Sequence, residues 1–286
     1  MNATATGHEK WLIDSPRTLD LGPIRTLKIG LVRGQIDIVA HDEPETRLEV
    51  HEVSGKPLRV TLDGDALEID HPQLRWDNWI ETMRTFSGRA RADVSLLVPR
   101  EVGLKLGVVS ANALVSGLRG DAQLSTVSGD IVADGLDGAL QLNSVSGELT
   151  VRGHRGRVAA HTVSGDVTVA GALTRFASDG VSGHAFVDVT GTADEISANT
   201  VSGAITVRMD GEAAAAYAVS SVGGRIQLDG RTFTGFKGRI TDSVGDLAGA
   251  FTDVRLNSVG GDISVVRRAA GAARPEPEAS TEGAGA

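Results

Sequence analysis

Apolar and polar residues alternate in short runs along most of the chain, and glycines separate the runs. Apolar residues stand two positions apart at Ile131 and Ala133, and again at Leu149 and Val151. A period of two places one side of an extended strand against a core. The pattern therefore predicts strands of about five residues joined by turns of three or four residues.

Two longer periods run through the same region. Glycines recur nine residues apart, and the tripeptide Val-Ser-Gly recurs at twice that spacing through its first four copies. Copies in such register are the mark of a repeat array, which we place at residues 103–266. The glycines are Gly120, Gly129, Gly138, Gly147, Gly156 and Gly165, and the tripeptides begin at Val127, Val145, Val163, Val181 and Val201.

Three all-β arrangements can carry this repeat: an antiparallel meander, a propeller and a parallel solenoid. A propeller blade needs about 40–50 residues, and no unit of that length is visible. The copies of the longer period resemble one another more than their two halves do. This favours an all-β, parallel β-solenoid, β-helix-like, with about 18 residues in each coil.

In a solenoid, equivalent positions of successive coils stack on one another. We expect one inward ladder of valines, so that Val145→Asp would place an unpaired charge in a thin core. The turn glycines form a second ladder, where a side chain would crowd the corner or φ must be positive. The predicted valine ladder is Val109, Val127, Val145, Val163 and Val181.

The rest of the chain is less regular. Residues 1–17 are predicted as an N-terminal extension, and 18–102 as an irregular β part that caps the solenoid. This part carries an insertion, 73–88. After the array, 267–286 are rich in Ala, Gly, Pro and Glu and are predicted as a disordered tail.

The insertion concentrates large side chains in a chain with 3% aromatic residues. Trp76, Trp79, Met83 and Phe86 fall near helical spacing. One interpretation is a short helix that covers the end or flank of the array. The other is a contact site for a partner, because tryptophan is enriched at interface hot spots.

Charge and composition narrow the choice of partners and location. The net charge of −9 and the lack of a basic cluster with aromatic residues argue against nucleic acid as a ligand. An acidic rod that mimics DNA is a further hypothesis. The chain shows no secretory signal and no apolar run of membrane-spanning length, so we expect a cytoplasmic protein, or an exported one if the start site is misassigned.

The sequence offers few candidates for catalytic or metal-binding residues. Asp130, Glu148 and Asp166 follow the turn glycines one coil apart, either as a calcium ladder or as solvated corner residues. With Arg157 they could also form the site of a polysaccharide-active enzyme. Each has a simple structural role as the alternative, so we predict no catalytic, metal-binding or cofactor-binding residue.

Polar residues precede the valines and either stabilise the turns or form a flat sugar-binding face. His154 and His161 lie close in sequence to several arginines, where a metal site is the alternative to scattered surface histidines. The polar residues are Ser125-Thr126, Asn143-Ser144, His161-Thr162, Asn199-Thr200, Ser220-Ser221 and Asn257-Ser258.

The repeated T-V-S-G-D-[IV]-x-V unit, together with the lead-in ADVSLLVPREVGLKLGVVSA at residues 92–111, resembles a bacterial β-strand-repeat family. That family bears the name "putative adhesin" and is a domain of unknown function. The resemblance spans residues 20–266, implies a β-helix-like solenoid with a loose link to the cell envelope, and brings no catalytic residue. We expect a non-enzymatic scaffold that binds another protein, with glycan as a further ligand; a surface adhesin is the alternative.

Overall fold

The computed structural model describes residues 8–71, 90–234 and 238–268, and these residues form strands joined by turns. The strands are β1 (His8–Ile13), β2 (Arg17–Leu21), β3 (Thr26–His41), β4 (Thr46–Ser54), β5 (Leu58–Asp63), β6 (Ala66–Asp70), β7 (Arg91–Pro99), β8 (Gly103–Ser116), β9 (Ala122–Thr126), β10 (Ile131–Asp134), β11 (Asp137–Ser144), β12 (Leu149–Thr162), β13 (Val167–Gly180), β14 (Ala185–Val189), β15 (Glu195–Thr200), β16 (Ile205–Met209), β17 (Ala215–Ser221), β18 (Ile226–Leu228), β19 (Arg231–Phe233), β20 (Gly238–Val244), β21 (Thr252–Ser258) and β22 (Ile263–Arg267). Within these ranges no helix is long and apolar enough to cross a membrane.

The strands stack into two facing sheets. The front sheet runs β1-β5-β6-β3-β8-β9-β11-β12-β13-β15-β21-β17-β20. The back sheet runs β2-β4-β7-β3-β8-β10-β12-β13-β14-β16-β22-β18-β19. Strands β3, β8, β12 and β13 are long enough to turn a corner and belong to both sheets. The prediction of an all-β, solenoid-like chain is confirmed.

Successive coils of the central region pair in parallel. In the back sheet, Ile131 lies between Ala113 and Leu149, its equivalents in the preceding and following coils. In the front sheet, Leu142 pairs with Leu124 on one side. Side chains that alternate inward from the two sheets fill a single narrow core in which these leucines are fully buried. Burial of one apolar face in every coil explains the period of two in the sequence.

At one end of the stack the strands pair in antiparallel fashion. Strand β4 is antiparallel to β2 and β7, and β5 is antiparallel to β1 and β6. This agrees with the prediction that residues 18–102 are less regular than the array. Within the array, the prediction of parallel strands is wrong at β19 and β20, which are antiparallel to β18 and β17. Residues 8–13 fall within the predicted N-terminal extension, yet they form the outermost strand of the front sheet.

The coils do not follow one another in chain order at either end. Strand β3 lies between β8 and the later strands β6 and β7. At the other end, β21 lies between β15 and β17, and β22 lies between β16 and β18. The coil that follows Met209 in sequence is therefore not adjacent to the coil that precedes it. Residues 252–267 form one coil that lies between the two.

Two arginines hold this inserted coil in place. Arg267 donates hydrogen bonds to the carbonyl oxygens of Gly211 (3.1 Å) and Ala213 (2.6 Å) in the link between β16 and β17. It also contacts the Tyr217 hydroxyl at 2.8 Å and the Asp229 carboxylate at 3.2 Å. Arg268, just beyond β22 and within the predicted tail, pairs with Asp188 and Asp210.

These contacts form a partly buried polar cluster at this end of the stack. Tyr217 is buried, and this burial raises the pKa of its hydroxyl to about 12 against the opposing effect of Arg267. The Tyr217 hydroxyl donates to Asp229 Oδ2 at 3.0 Å. Removing Arg267 would leave the buried hydroxyl and carboxylate without their cation, so the cluster fixes the inserted coil to its neighbour.

The corner from the front sheet to the back sheet, which we call the valine corner, is set by backbone packing at glycine. A Cβ added to Gly147 would lie 2.0 Å from the carbonyl oxygen of Gly129, and one added to Gly165 would lie 2.0 Å from that of Gly147. Neither glycine has a positive φ. The glycine ladder is therefore confirmed, and crowding between coils is its cause.

The expected inward ladder of valines is wrong. Val145, Val163, Val181 and Val201 stack from coil to coil, but each is 45–49% exposed. The residue before each valine takes the inward position. Thr126 and Ser144 are buried there, and each donates its hydroxyl to the carbonyl oxygen of the glycine three residues later at 2.6 Å. These hydrogen bonds close the turn and direct the valine outward, which confirms the turn-stabilising interpretation.

We expect Gly165→Ala to lower the free energy of unfolding by about 2–3 kcal/mol, because the methyl group overlaps a backbone oxygen of the adjacent coil. Urea denaturation measures the change. Gly22→Ala is the matched control, since nothing lies within 4 Å of the added methyl group. An equal effect of both substitutions would contradict crowding at the corner.

A second comparison separates the two kinds of valine. Val151 is 1% exposed and Val145 is 45% exposed. Val151→Asp should prevent cooperative folding, because it buries an unpaired carboxylate. Val145→Asp should change the free energy of unfolding by less than about 1 kcal/mol. Circular dichroism during urea titration measures the stability of both variants. A severe loss of stability in Val145→Asp would instead support an inward ladder of valines.

Candidate functional site

The outer surface of the front sheet carries a groove that crosses six strands from β3 to β13. Its volume is about 680 Å³. Five spacings of about 4.8 Å between strands give it a length of roughly 24 Å along the stack. It is lined by Thr26, Gly103, Leu104, Lys105, Asp121, Ala122, Gln123, Ala139, Leu140, Gln141, Arg157, Val158, Ala159, Arg175 and Ala177. We refer to it as the front-sheet groove.

The strand register explains why the groove is shallow and why part of its floor is made of small side chains. Lys105, Gln123, Gln141, Ala159 and Ala177 occupy one outward column, each paired with the next across adjacent strands. The two alanines lower the floor at one end, and the two stacked carboxamides stand at its centre. A carboxamide both donates and accepts hydrogen bonds, so this column presents both kinds of group to a ligand.

A second column beside it carries the charges. Arg157 pairs directly with Arg175, and Arg175 pairs with Glu195 on the following strand. Arg175 forms an ion pair with Glu195. Arg255 also contacts that carboxylate, at 2.8 Å. Within the described ranges, Arg157 forms no ion pair, so the column leaves positive charge exposed at the groove.

Asp121 is the acidic residue at the groove, and its carboxylate is engaged by the backbone. Its Oδ1 accepts a hydrogen bond from the Ala139 amide at 3.1 Å. Carboxylates at the valine corner behave in the same way. Asp130 Oδ1 accepts from the Glu148 amide at 2.9 Å, and Asp166 Oδ1 accepts from the His184 amide at 2.7 Å.

Those contacts give Asp130 and Asp166 a structural role at the valine corner, as the corner-residue interpretation predicts. Each aspartate caps an amide of the next coil, and no group of three potential metal ligands occurs among residues 8–71, 90–234 and 238–268. Asp130, Glu148 and Asp166 lie at the valine corner, whereas Arg157 lies on the front sheet near the opposite corner. The structure does not bring together the residues that a polysaccharide-active enzyme would have needed.

The first residue of each polar pair, two positions before the valine, faces outward on the front sheet, beside the groove. Asn143 donates to Ser125 at 3.3 Å, Asn199 donates to Asp179 at 2.9 Å, and Asn257 donates to Asn199 at 2.8 Å. They form a hydrogen-bonded ladder along the stack. The sugar-binding interpretation and the structural one thus concern the same surface, since this ladder and the groove share a face.

The two histidines considered as metal ligands have different environments. His154 is 1% exposed and takes an inward corner position next to the equivalent Leu136 of the preceding coil, while its partner on β13 is Gly171. Among the described residues, neither of its ring nitrogens has a hydrogen-bond partner of good geometry. His161 is half exposed and lies 3.5 Å from Asp179. Burial lowers the pKa of His154, although nearby backbone groups oppose this effect.

The predicted contact residues Trp76, Trp79, Met83 and Phe86 lie outside the described residues, so their role stays a prediction. The front-sheet groove was missed in the sequence. The groove residues stand at fixed distances from the repeat glycines in the sequence. They can be recognised as two columns only once the strand register and the outward-facing positions are known.

Comparison with protein families identifies the fold group. The Toastrack DUF4097 model matches residues 24–266. The chain belongs to this family. No curated protein matches.

Several solved structures resemble this Toastrack protein at low identity. One is a putative adhesin from Bacteroides fragilis, with 15% identity, a TM-score of 0.45 and coverage of 88% of this chain and 97% of that chain. Another is a putative adhesin from Parabacteroides distasonis, with 13% identity, a TM-score of 0.45 and coverage of 92% and 98%. A putative lipid binding protein from Parabacteroides distasonis has 14% identity, a TM-score of 0.45 and coverage of 89% and 97%.

We expect the Toastrack protein to lose stability in acid because of its buried histidines. His154, and likewise His71, has a pKa below the ordinary value of 6.5 through burial. The unfolded chain therefore binds protons first as pH falls below 6.5, and each such histidine costs up to about 1.4 kcal/mol per pH unit until the folded pKa is reached.

His154→Leu should reduce this loss between pH 6.5 and pH 5, because leucine suits the apolar corner and does not titrate. Urea denaturation at several pH values measures the slope. His161→Gln removes an exposed histidine and serves as the control. An unchanged slope in His154→Leu would show that His154 is protonated equally in the folded and unfolded chains.

Proposed function

We propose that this Toastrack protein is a non-enzymatic binding scaffold that holds an extended ligand in the front-sheet groove. The scaffold is a β-solenoid whose central coils repeat at the spacing of the Val-Ser-Gly copies. The groove is the observation that carries the proposal, because it is continuous over several coils and runs along the axis of the stack. Such a site suits a chain-like ligand better than a compact one.

The distribution of titratable groups supports a binding role. Arg100 holds the pKa of Asp42 below its ordinary value. Burial alone would raise the pKa of Asp188, yet Arg208 and Arg268 hold it below the ordinary value as well. Both carboxylates lie in ion pairs that fasten one coil to another. Catalytic sites gather perturbed groups in one cleft, whereas neither of these carboxylates lines the front-sheet groove.

The segment 73–88 stays a second predicted contact region, and another protein is its predicted partner. The cytoplasmic location also stays a prediction. Fractionation of the native cell, followed by capture with a chain that lacks 73–88, addresses both. Neither experiment tests the front-sheet groove, which is formed by other residues.

We expect Ala159→Trp to fill the groove and weaken ligand binding roughly tenfold or more. Ala218 lies in the same outward column but beyond the groove, so Ala218→Trp is the matched control. Wild type and both variants are screened against a glycan array, lipid vesicles and an envelope extract. A ligand that Ala159→Trp alone fails to bind supports the proposal.

Two results would contradict it. Ala159→Trp could retain every ligand of the wild type, which would remove the groove from the binding surface. Alternatively, mass spectrometry of the bound ligand after prolonged incubation could show a product. Product formation that Ala159→Trp abolishes would make the protein an enzyme.

A further inference from the structure

We propose that the ligand of the front-sheet groove is an acidic polysaccharide, whose carboxylates bind Arg157 and Arg175. This inference rests on the proposed function and assigns its ligand class. Its basis is the arrangement of charge at the groove, together with the side chains between the charges.

Two like charges lie side by side at the groove. Arg157 and Arg175 occupy directly paired positions on neighbouring parallel strands of one sheet face. Like charges at such positions destabilise a sheet. Glu195 compensates Arg175 but not Arg157, and it also serves Arg255. An anion placed between the two guanidinium groups would remove the repulsion.

The two arginines are suited to binding carboxylates. A guanidinium group is planar and binds a carboxylate through two parallel hydrogen bonds. Strands about 4.8 Å apart hold the two groups at a fixed spacing along the axis. A ligand with acid groups repeated along a chain would engage both arginines and continue along the rest of the groove.

The other residues that line the groove are suited to a sugar chain. Gln123 and Gln141 stack at the centre, where their carboxamides match the hydroxyl groups of a sugar chain. Ala139, Ala159 and Ala177 leave flat apolar surface against which the carbon-bound faces of sugar rings can pack. The carboxylates, the hydroxyl groups and the apolar ring faces of such a ligand therefore each have a counterpart within the groove.

Other acidic polymers fit less well. A peptide gains affinity by adding a strand to a sheet edge, but the groove lies on a sheet face, where the backbone groups are already paired. A nucleic acid fits less well because none of the residues that line the groove is aromatic, so the groove offers no ring on which bases could stack. An acidic glycan also agrees better with the surface-adhesin alternative than with a cytoplasmic location.

The test uses the full chain and three probes: polygalacturonate, its fully methyl-esterified form, and polyglutamate. Calorimetric titration at low salt should show binding of polygalacturonate alone, weakened by added salt. Arg157→Gln and Arg175→Gln should each weaken it roughly tenfold, because each removes a charge-assisted pair. Arg152→Gln is the control, since Arg152 lies on the same strand β12 but on the back sheet.

A stability measurement accompanies the titration. Arg157→Gln should leave the urea midpoint of the free protein unchanged or raised, because it relieves the repulsion from Arg175. A lowered midpoint would show that the two arginines do not repel each other, and would remove the reason for placing an anion between them. Equal binding of the esterified polymer or of polyglutamate, or an equal effect of Arg152→Gln, would overturn the assignment.

Failure of this inference can be told apart from failure of the proposed function. If polygalacturonate does not bind while Ala159→Trp still loses another ligand of the wild type, the ligand class is wrong and the groove remains the binding site. If Ala159→Trp loses no ligand, both are wrong.

Discussion

Backbone contact between glycines at the valine corner sets the geometry on which the rest of the structure depends. There is no room for a Cβ at Gly147, Gly165 and their equivalents. The backbone of each coil therefore packs at this corner directly against a carbonyl oxygen of the preceding coil. That contact brings each strand into register with its equivalent in the next coil. Every ladder in the molecule, buried or exposed, follows from this stacking.

The sequence predicted those features that repeat with the coil. The period of two indicated the buried faces, and the longer period predicted parallel pairing in the central region. The inward or outward direction at the corner was harder to predict. Val145 is more apolar than Ser144, yet the hydroxyl lies inside because it can close the turn, whereas valine cannot. Local hydrogen bonding there outweighs hydrophobicity, which a periodicity argument does not weigh.

Features that depend on contacts distant in sequence could not be predicted. The position of β21 between β15 and β17 depends on which edges remain open after the other coils have formed. Arg267 and Tyr217 meet across 50 residues, and neither stands out in the sequence. The groove has the same origin, since Arg157 and Arg175 are ordinary surface residues until the register places them side by side.

The inserted coil has a consequence for synthesis. Both of its neighbours precede it in the chain, so a nascent protein presents two facing unpaired strand edges until residues 252–267 have been made. Exposed edges accept any strand of suitable length. A second molecule can supply that coil as well as the first can, so crowding of unfinished chains favours exchange between copies. Any chain that stops before residue 252 therefore carries two open strand edges that the full chain covers.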